Sequence, residues 1–478
     1  MADFAAVVPM LIVTLAGVAA MLAEAFRDPG ERMPIGGLGV IGLLGAGVAS
    51  VLLWGRGASS FEVIRADDFA LFVNVILVMA GVLTIVFSAD VVERDELPSG
   101  EYYALTLFAI AGMMLMAAAV DLLVLFLGLE VLSLSVYVLT GIRRSSVAGT
   151  EGAFKYFLLG AFSSAFFLYG IAFAFVVSGG TDIARLGQAV ASQGEAGSGL
   201  VWVSLGLLLV GFAFKVAAVP FHSWAPDAYE GAPAVVTGFM STAVKVAAFA
   251  ALVRVVTTAF DAVHASWAPG VWAIAIATMV LGSTVGLAQT NLKRMLAYSS
   301  IAHAGYLLVG VVVATPMATA AVLFYLVAYV LTNLGAFGII ASLGTRDRAN
   351  DSLEDVVGLG SSRPASAALL TVLLLSLGGF PPTAGFIGKW YLFSAAVQEG
   401  YVGLAIVGVL TSVVSVFYYL RVVVKMYMTP ESSAPMLGSA PAGATLAAVA
   451  ATVVGVLLLG ILPARLIALA TESISAIF

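Results

Sequence analysis

Five of the six lysines in this chain lie within or at the edge of long apolar segments, whereas most of the fifteen arginines lie in the polar connections between those segments. The five are Lys155, Lys215, Lys245, Lys389 and Lys425. An arginine stays protonated in almost any surroundings, but a lysine that loses its hydration can release its proton near neutral pH. Lysine in apolar segments that largely exclude arginine therefore indicates proton-transfer chemistry.

A carboxylate accompanies these lysines inside an apolar segment. Glu130 lies midway along the run 121–141, and a lone charge at such depth in a membrane is costly. We expect it to pair with Lys215, because two neighbouring opposite charges each favour the charged form of the other. The pair is either a switch that an arriving proton can reset or a permanent ion pair that joins two helices. A permanent pair would contribute little stability compared with apolar replacements.

Prolines interrupt two of the lysine-bearing segments. Pro220 follows Lys215 in the stretch Gly211–Val235, and Pro381 and Pro382 precede Lys389. Proline has no N–H and clashes with the carbonyl four residues back, so both helices must break. A break is tolerated within a membrane only where it is buried in protein or lines a wet cavity. Two such breaks in two halves of a chain are typical of a transport site built on internal repeats.

The two lysines are expected to differ in the helix end that they meet. Lys215 lies near a carbonyl end, which favours a cation, and Lys389 lies beyond an amide end, which does not. Lys389 is nevertheless a candidate to hold a proton in transit, and that role requires a side chain that can titrate.

Other ionisable residues are candidates for secondary positions. Lys245 lies midway along its segment and is the next position for a proton; the alternative is a lysine that extends its amine to the segment end. His222 follows the first break, and His222, His303 and Lys155 are each either proton carriers or structurally hydrogen-bonded groups. His264 lies in a connection and is expected to be solvated.

The composition excludes several classes of protein. The chain has 478 residues, of which 62% are hydrophobic and 10% charged, and its mean hydropathy is +1.09, values that a soluble globular protein does not reach. The absence of cysteine excludes disulfides, iron–sulfur clusters and thiolate metal sites, and three scattered histidines offer little for metal catalysis. The net charge of −6 argues against nucleic acid as a partner. The first apolar segment is longer than a signal-peptide core and should remain as a helix.

The apolar segments predict an all-α polytopic membrane protein with about 14 transmembrane helices, at about 20 residues per span. Helices 4–8 and 9–13 are interpreted as two five-helix repeats, each with a proline-broken helix, over 200–222 and 365–394. Because five is odd, the second repeat is inverted relative to the first. The predicted division is 1–101 for three N-terminal helices, 102–258 for the first repeat, 259–428 for the second and 429–478 for a C-terminal helix.

Lysine and arginine are more frequent in the connections that follow helices 1, 3, 5, 9 and 11 than in the alternate connections. By the positive-inside rule the first set faces the cytoplasm, which places both termini outside it. A single miscounted helix would reverse part of this count. The alternative is therefore that the asymmetry in lysine and arginine arose by chance.

Three long motifs resemble a known family. The runs Glu151–Phe166, Phe214–Pro233 and Lys293–Tyr306 are similar to the antiporter-like membrane subunits of respiratory complex I, most closely the N subunits of bacterial NADH:quinone oxidoreductases. The similarity extends over nearly the whole chain. The related L subunits add a lateral helix after the core, and the related M subunits have a glutamate where this chain has Lys389.

The resemblance implies a proton-translocating subunit driven by quinone reduction elsewhere in the complex. It assigns Glu130, Lys215, Lys245 and Lys389 to the main proton positions and Lys155 and His222 to secondary ones. It implies one copy per complex, contacts with other membrane-arm subunits and with the lipid bilayer, and residence in the bacterial inner (plasma) membrane. No cofactor is expected on this chain, while FMN, iron–sulfur clusters and quinone are expected in other subunits.

Two other functions remain as alternatives. An Mrp-type cation/proton antiporter subunit shares the fold, although the run from Lys155 to Phe167 resembles the N subunits more closely. A purely structural scaffold would not require broken helices with buried lysines. An enzyme with its own redox cofactor would require ligands that this sequence lacks.

Overall fold

The computed structural model describes residues 2–27, 34–193, 198–346, 348–429, 437–438 and 440–478. Most of these residues are helical. The helices of the first half are α1 (Val8–Ala25), α2 (Ile35–Leu53), α3 (Asp68–Arg94), α4 (Ser99–Ala118), α5 (Leu122–Thr140), α6 (Val147–Ser178), α7 (Ile183–Ser192), α8 (Gly199–Val216), α9 (Trp224–Gly231) and α10 (Ala234–Ala259). A short antiparallel hairpin pairs β1 (Ala58–Ser60) with β2 (Ile64–Ala66).

The helices of the second half are α11 (His264–Leu287), α12 (Leu292–Val313), α13 (Pro316–Leu343), α14 (Leu359–Ser362), α15 (Pro364–Gly378), α16 (Ala384–Gln398), α17 (Val402–Met428), α18 (Gly443–Ile461) and α19 (Ala464–Ser473). Short 3₁₀ helices occupy Ala2–Val7, Asp261–Val263, Leu353–Val356 and Ile474–Ala476. The first of these runs directly into α1.

Thirteen helices in the described part of the chain are long and apolar enough to cross a membrane. The crossing predicted over 365–394 is divided into α15 and α16, which have 15 residues each. At about 1.5 Å per residue, neither alone spans a hydrocarbon layer of about 30 Å. Together they make the fourteenth crossing, and the prediction of about 14 helices is confirmed.

Several elements were not predicted from the sequence. The hairpin β1–β2 and the helices α7, α9 and α14 lie in connections to which the sequence assigned no helix or strand. The single C-terminal helix expected within 429–478 is divided, because α18 ends at Ile461 and α19 begins after Pro463 as a separate helix.

The two broken helices share one local geometry. In α8 the amide of Ala218 donates to the Ala213 carbonyl at 2.8 Å, and in α15 the amide of Phe380 donates to the Leu375 carbonyl at 3.1 Å. Each helix ends in a left-handed residue, Ala217 with φ 59° and Gly379 with φ 84°. This is a Schellman cap, which satisfies the last carbonyls before the proline is reached. Both breaks therefore begin upstream of the prolines that predicted them.

The packing repeats as well. The pair α4 and α5 corresponds to the pair α11 and α12, and α6 packs on α8 and α9 as α13 packs on α15 and α16. The helices α10, α12 and α13 are buried over almost their whole length and form the centre of the molecule. Their packing against both repeats brings the two broken helices towards one interior.

Connections from both halves meet on one side of the molecule. The segments after α3, α5, α9, α11 and α13 jointly line a cavity of about 240 Å³, here called the loop cavity. On the other side the Ala6 amide donates to the Ser60 hydroxyl at 3.1 Å, and Ile64 pairs with Ala119. The α18 helix starts beside Asp90, at the cavity end of α3, and runs across the molecule. Both ends of the chain therefore lie opposite the loop cavity.

Candidate functional site

Lys215 lies in the last turn of α8 and is 3% exposed. Its Nζ donates to the Ser133 hydroxyl of α5 at 2.8 Å and to the Tyr156 hydroxyl of α6 at 3.4 Å. The same nitrogen lies 5.5 Å from the ring centre of Tyr137 and 5.4 Å from that of Tyr156. Hydroxyl groups and aromatic faces, rather than a carboxylate, therefore surround this amine.

Glu130 does not form the expected ion pair with Lys215. Among the described residues, no carboxylate oxygen lies within 4.0 Å of the Lys215 nitrogen. Glu130 is partly exposed and accepts a hydrogen bond from the Ser164 hydroxyl of α6 at 2.5 Å. Ser133 lies one helical turn after Glu130, so that it connects the glutamate's face of α5 to the lysine. The predicted direct pair is wrong because helix packing places the Ser133 hydroxyl against the lysine amine and the Ser164 hydroxyl against the glutamate.

Lys245 lies in the middle of α10 and is 1% exposed. Its Nζ donates to the Ser300 carbonyl of α12. The alternative of a lysine that reaches the end of its helix is wrong, because this side chain ends inside the protein. We call Lys215, Lys245 and Lys389 the lysine row.

One face of α12 connects Lys245 to Lys389. Ser300, His303 and Tyr306 follow one another at three-residue spacing, which keeps them close on that helix. Ser300 binds Lys245, and the ring of Tyr306 lies 4.9 Å from the Lys389 nitrogen. His303 therefore lies between Lys245 and Lys389.

His303, predicted as a secondary proton position, is 3% exposed. Its Nδ1 shares a hydrogen bond with the Tyr325 hydroxyl at 2.5 Å, and its Nε2 shares one with the Tyr419 hydroxyl at 3.2 Å. The ring of Tyr329 lies 5.1 Å away. Both imidazole nitrogens thus contact groups that can donate and accept protons.

Lys389 contradicts the expectation about helix ends. It is 5% exposed, and its Nζ donates to the carbonyls of Leu377 at 2.9 Å and Gly378 at 3.3 Å. The Ser412 hydroxyl of α17 accepts a third hydrogen bond at 2.5 Å. Although Lys389 belongs to α16, its side chain crosses the break to the carbonyl end of α15, which attracts a cation. The expectation that the Lys389 amine meets an amide end is wrong, because its long side chain folds back to the preceding helix.

Lys155 lies apart from the lysine row. Its side chain is 42% exposed and forms ion pairs with Glu151 at 2.6 Å and Asp227 at 2.7 Å. Arg294 joins Asp227 at 2.7 Å and Glu230 at 2.8 Å. These five residues are here called the boundary network. No hydrogen bond or ion pair among the described residues connects this network to the lysine row.

Asp227 is the centre of the boundary network, because it joins α6, α9 and α12. Burial by itself raises the pKa of Asp227, but hydrogen bonds from Lys155 and Arg294 outweigh it and hold that pKa below its usual range. Two neighbouring cations therefore favour the charged form of this carboxylate.

The other two histidines are also away from the row. His222 lies between α8 and α9, and no partner binds its Nδ1 among the described residues. His264 was expected to be solvated, but its Nε2 lies 2.8 Å from the Val312 carbonyl, so it is tied to α12.

The loop cavity is lined by charged side chains of both signs. Asp95 binds Arg143 and receives a hydrogen bond from Arg94 at 2.8 Å. Lys293 binds Asp351 at 3.0 Å and the Ala232 carbonyl at 2.9 Å. These pairs leave a polar and partly open space beside the first turn of α10.

Sequence reasoning identified the lysine row but missed its partners. Ser133, Ser412 and Tyr325 occupy ordinary helical positions, and their sequence context carries no distinctive signal. For Ser133 alone a signal existed, since it lies three residues after Glu130 on the same helix. Within the described chain, no group of three or more His, Asp or Glu side chains could hold a metal ion.

The chain is similar in sequence to known proteins. Residues 119–415 match the family described as "NADH:quinone oxidoreductase/Mrp antiporter, TM". The chain is 44% identical over 472 residues to NADH-quinone oxidoreductase subunit N of Trichlorobacter lovleyi, covering 98% of this chain and 97% of that protein. It is 42% identical over 501 residues to subunit N 1 of Sorangium cellulosum, covering 99% of both proteins.

Two solved structures share the fold. A chain of respiratory complex I from Thermus thermophilus with bound Aureothin is 35% identical, with a TM-score of 0.83, and the match covers 97% of this chain and 99% of that one. A chain of the Mrp complex from Dietzia sp. DQ12-45-1b has a TM-score of 0.84 but only 23% identity, covering 99% and 97%. The second similarity concerns the fold alone.

Proposed function

Because this chain belongs to the family of NADH-quinone oxidoreductase subunit N, a group of proton-translocating membrane-arm subunits of respiratory complex I, we propose that its protons pass along the lysine row. Glu130, Lys215, Lys245 and Lys389 are the principal positions, and His303 connects the last two. The Mrp-type alternative is not favoured, since the curated relatives that cover the whole chain are N subunits.

The observation that carries this proposal is the absence of a carboxylate partner at each member of the lysine row. Among the described residues, the three amines contact only hydroxyl groups, carbonyls and aromatic rings. A buried ammonium ion without a counter-charge is costly, whereas the neutral amine is not. Each position can therefore exist with or without its proton, as a carrier must.

Neighbouring positions influence one another through their charges. A proton that arrives at one lysine disfavours protonation of the next, because like charges in a medium of low dielectric repel. A displaced or rotated partner, such as the Glu130 side chain, shifts the balance in the opposite direction. Redox events elsewhere in the complex need only change one of these charges to move a proton along the row.

The breaks at Pro220, Pro381 and Pro382 give this row its flexibility. They leave the carbonyls of Leu377 and Gly378 pointing towards Lys389 instead of continuing a helix. Lys155 and His222 are assigned a lesser part, since Lys155 belongs to the boundary network. The divisions 1–101, 102–258, 259–428 and 429–478 are kept as the functional units.

The chain is a multi-pass membrane protein and a subunit of a larger complex. We assign it one copy per complex, in the bacterial inner membrane, with sister membrane-arm subunits as its neighbours. The loop cavity is placed on the cytoplasmic side and both termini on the opposite side, in agreement with the positive-inside rule. This chain is assigned no cofactor, and FMN, iron–sulfur clusters and quinone are assigned to other subunits.

The test is the replacement of Lys245 by alanine in the assembled complex, with NADH-driven ΔpH formation measured in membrane vesicles. Loss of one carrier forces a proton through a low-dielectric region, so the rate should fall about tenfold or more. Lys425→Ala is the matched control, since Lys425 lies at the end of α17 and pairs with Glu354 at 2.9 Å. Normal ΔpH formation by the Lys245 variant would refute the proposed function.

A further inference from the structure

One face of α10 carries hydroxyl groups from the loop cavity to Lys245. Thr237, Ser241 and Lys245 are spaced by four residues, which places them on the same face of the helix. Both hydroxyl residues are fully buried. The Thr237 hydroxyl donates to the carbonyls of Tyr229 at 2.8 Å and Pro233 at 3.3 Å, and Pro233 lines the loop cavity. The row of polar groups thus begins where the cavity ends.

Asn333 of α13 contacts this row from the side. It is 1% exposed, and its Nδ2 donates to the Ser241 hydroxyl at 2.7 Å and to the Tyr329 hydroxyl at 3.2 Å. Its Oδ1 is buried and has no hydrogen-bond partner in the part of the chain that the structure describes. Exchange of the two amide atoms would leave the other one unpartnered instead. In either orientation, one half of a buried amide is available to a small polar ligand.

Buried polar atoms in native proteins are nearly always hydrogen-bonded, to protein or to ordered water. An unpartnered amide atom next to a row of hydroxyl groups therefore indicates a water site. The ring of Tyr329 lies 5.1 Å from His303, so Asn333 is also adjacent to the face of α12 that binds Lys245. The amide lies at the meeting point of the α10 and α12 polar faces.

We propose that Asn333 is a positioning residue that holds a water molecule beside Ser241, through which protons from the loop cavity reach Lys245. This inference depends on the proposed function of the lysine row. The amide itself does not titrate. Each hydroxyl or water in the path accepts one proton and releases another, so that no group gains or loses a proton overall. The Thr237 and Ser241 hydroxyls donate to backbone carbonyls, so each must rotate to pass its proton on.

The test compares two replacements of Asn333 in the assembled complex. Asn333→Leu keeps the branched shape and the number of heavy atoms but removes the polar ones, and the rate of NADH-driven ΔpH formation should fall about tenfold, as expected when a transfer step loses its hydrogen-bonded partner. Asn333→Ser keeps a hydroxyl and makes room for water, and should restore most of the rate. A purely structural role predicts the reverse order, since leucine fills the core and serine leaves a cavity.

A matched control is available on another helix. Asn74 of α3 is also buried, and its Oδ1 is also unpartnered among the described residues, but it contacts no member of the lysine row through the hydrogen bonds of the structure. Asn74→Leu should pump normally. Equal loss in Asn74→Leu and Asn333→Leu would overturn the inference, because the loss would then follow from packing.

The outcome also separates this inference from the proposed function. If Lys245→Ala abolishes ΔpH formation while Asn333→Leu pumps normally, only the role of Asn333 is refuted. If Lys245→Ala pumps normally, the lysine row itself is refuted. Assembly of each variant is verified by the amount of complex in the membrane.

Discussion

The lysine row and the boundary network both contain basic side chains, but different groups surround them. Lys155 and Arg294 in the boundary network each bind two carboxylates. Lys245 and Lys389 in the row bind carbonyls, and Lys389 and Lys215 bind serine hydroxyls. A carboxylate fixes the charge of its partner, whereas a neutral oxygen accepts a hydrogen bond from either form of the amine.

This difference separates charges that are fixed in ion pairs from those that we propose to carry protons. The boundary network joins α6, α9 and α12 through partly exposed side chains, so that water weakens each ion pair. The lysine row lies in the interior, where an unbalanced charge has large consequences. The burial of a lysine is therefore a poorer guide to function than the identity of the atoms that contact it.

The largest expected effect comes from Lys389. Lys389→Ala and Lys389→Arg should each lower NADH-driven ΔpH formation about tenfold or more, because arginine keeps the charge but does not release its proton. Complex assembly should stay intact with arginine, since its guanidinium can still donate to the Leu377 and Gly378 carbonyls. Normal pumping by Lys389→Arg would reduce this lysine to a fixed cation and would remove the distinction between the two regions.

An intermediate effect is expected from Glu130 and Lys215, which lie on facing helices without forming an ion pair. Glu130→Gln and Lys215→Ala should each impair pumping strongly, and the double variant should be less impaired than the sum of both losses, with a coupling of about 1 kcal/mol. Since Ser133 connects the two faces, Ser133→Ala should weaken that coupling. Ser135→Ala on the same helix is its control, because Ser135 donates only to the Val131 carbonyl. Simple addition of the two single losses would show that the residues act independently.

The smallest effect on pumping is expected in the boundary network. Asp227→Asn should pump nearly normally but lower the thermal unfolding midpoint of the complex in detergent by a few degrees at neutral pH. The pKa of Asp227 is depressed in the folded protein, so its stabilisation is present above its unfolded pKa and disappears as the pH falls through the lower folded value.

The difference in midpoint between Asp227→Asn and the unmodified protein should therefore shrink below about pH 4. Glu354→Gln serves as the comparison, since Glu354 forms an exposed pair with Lys425 and should change little at any pH. A constant difference down to the lowest pH, or a strong loss of pumping by Asp227→Asn, would assign this carboxylate to proton transfer instead.

The sequence by itself determined the membrane class, the number of crossings and the residues of the lysine row. Long apolar segments require helices because lipid satisfies no backbone polar group. Lysine and glutamate are costly inside such segments and are therefore candidates for function, and proline breaks a helix. These inferences depend on the chemistry of single residues and on segment length, both of which can be read without a partner.

Only the tertiary structure decided which atoms meet these residues. The helices are apolar on nearly every side, so their sequence does not encode which face turns towards which neighbour. Packing placed the Ser133 hydroxyl against the Lys215 amine, and it brought the Lys389 amine back to the carbonyl end of α15. It also joined Asn333 to Ser241 across two helices that are distant in the chain. Such contacts depend on the rotation and crossing of packed helices, which composition and periodicity leave undetermined.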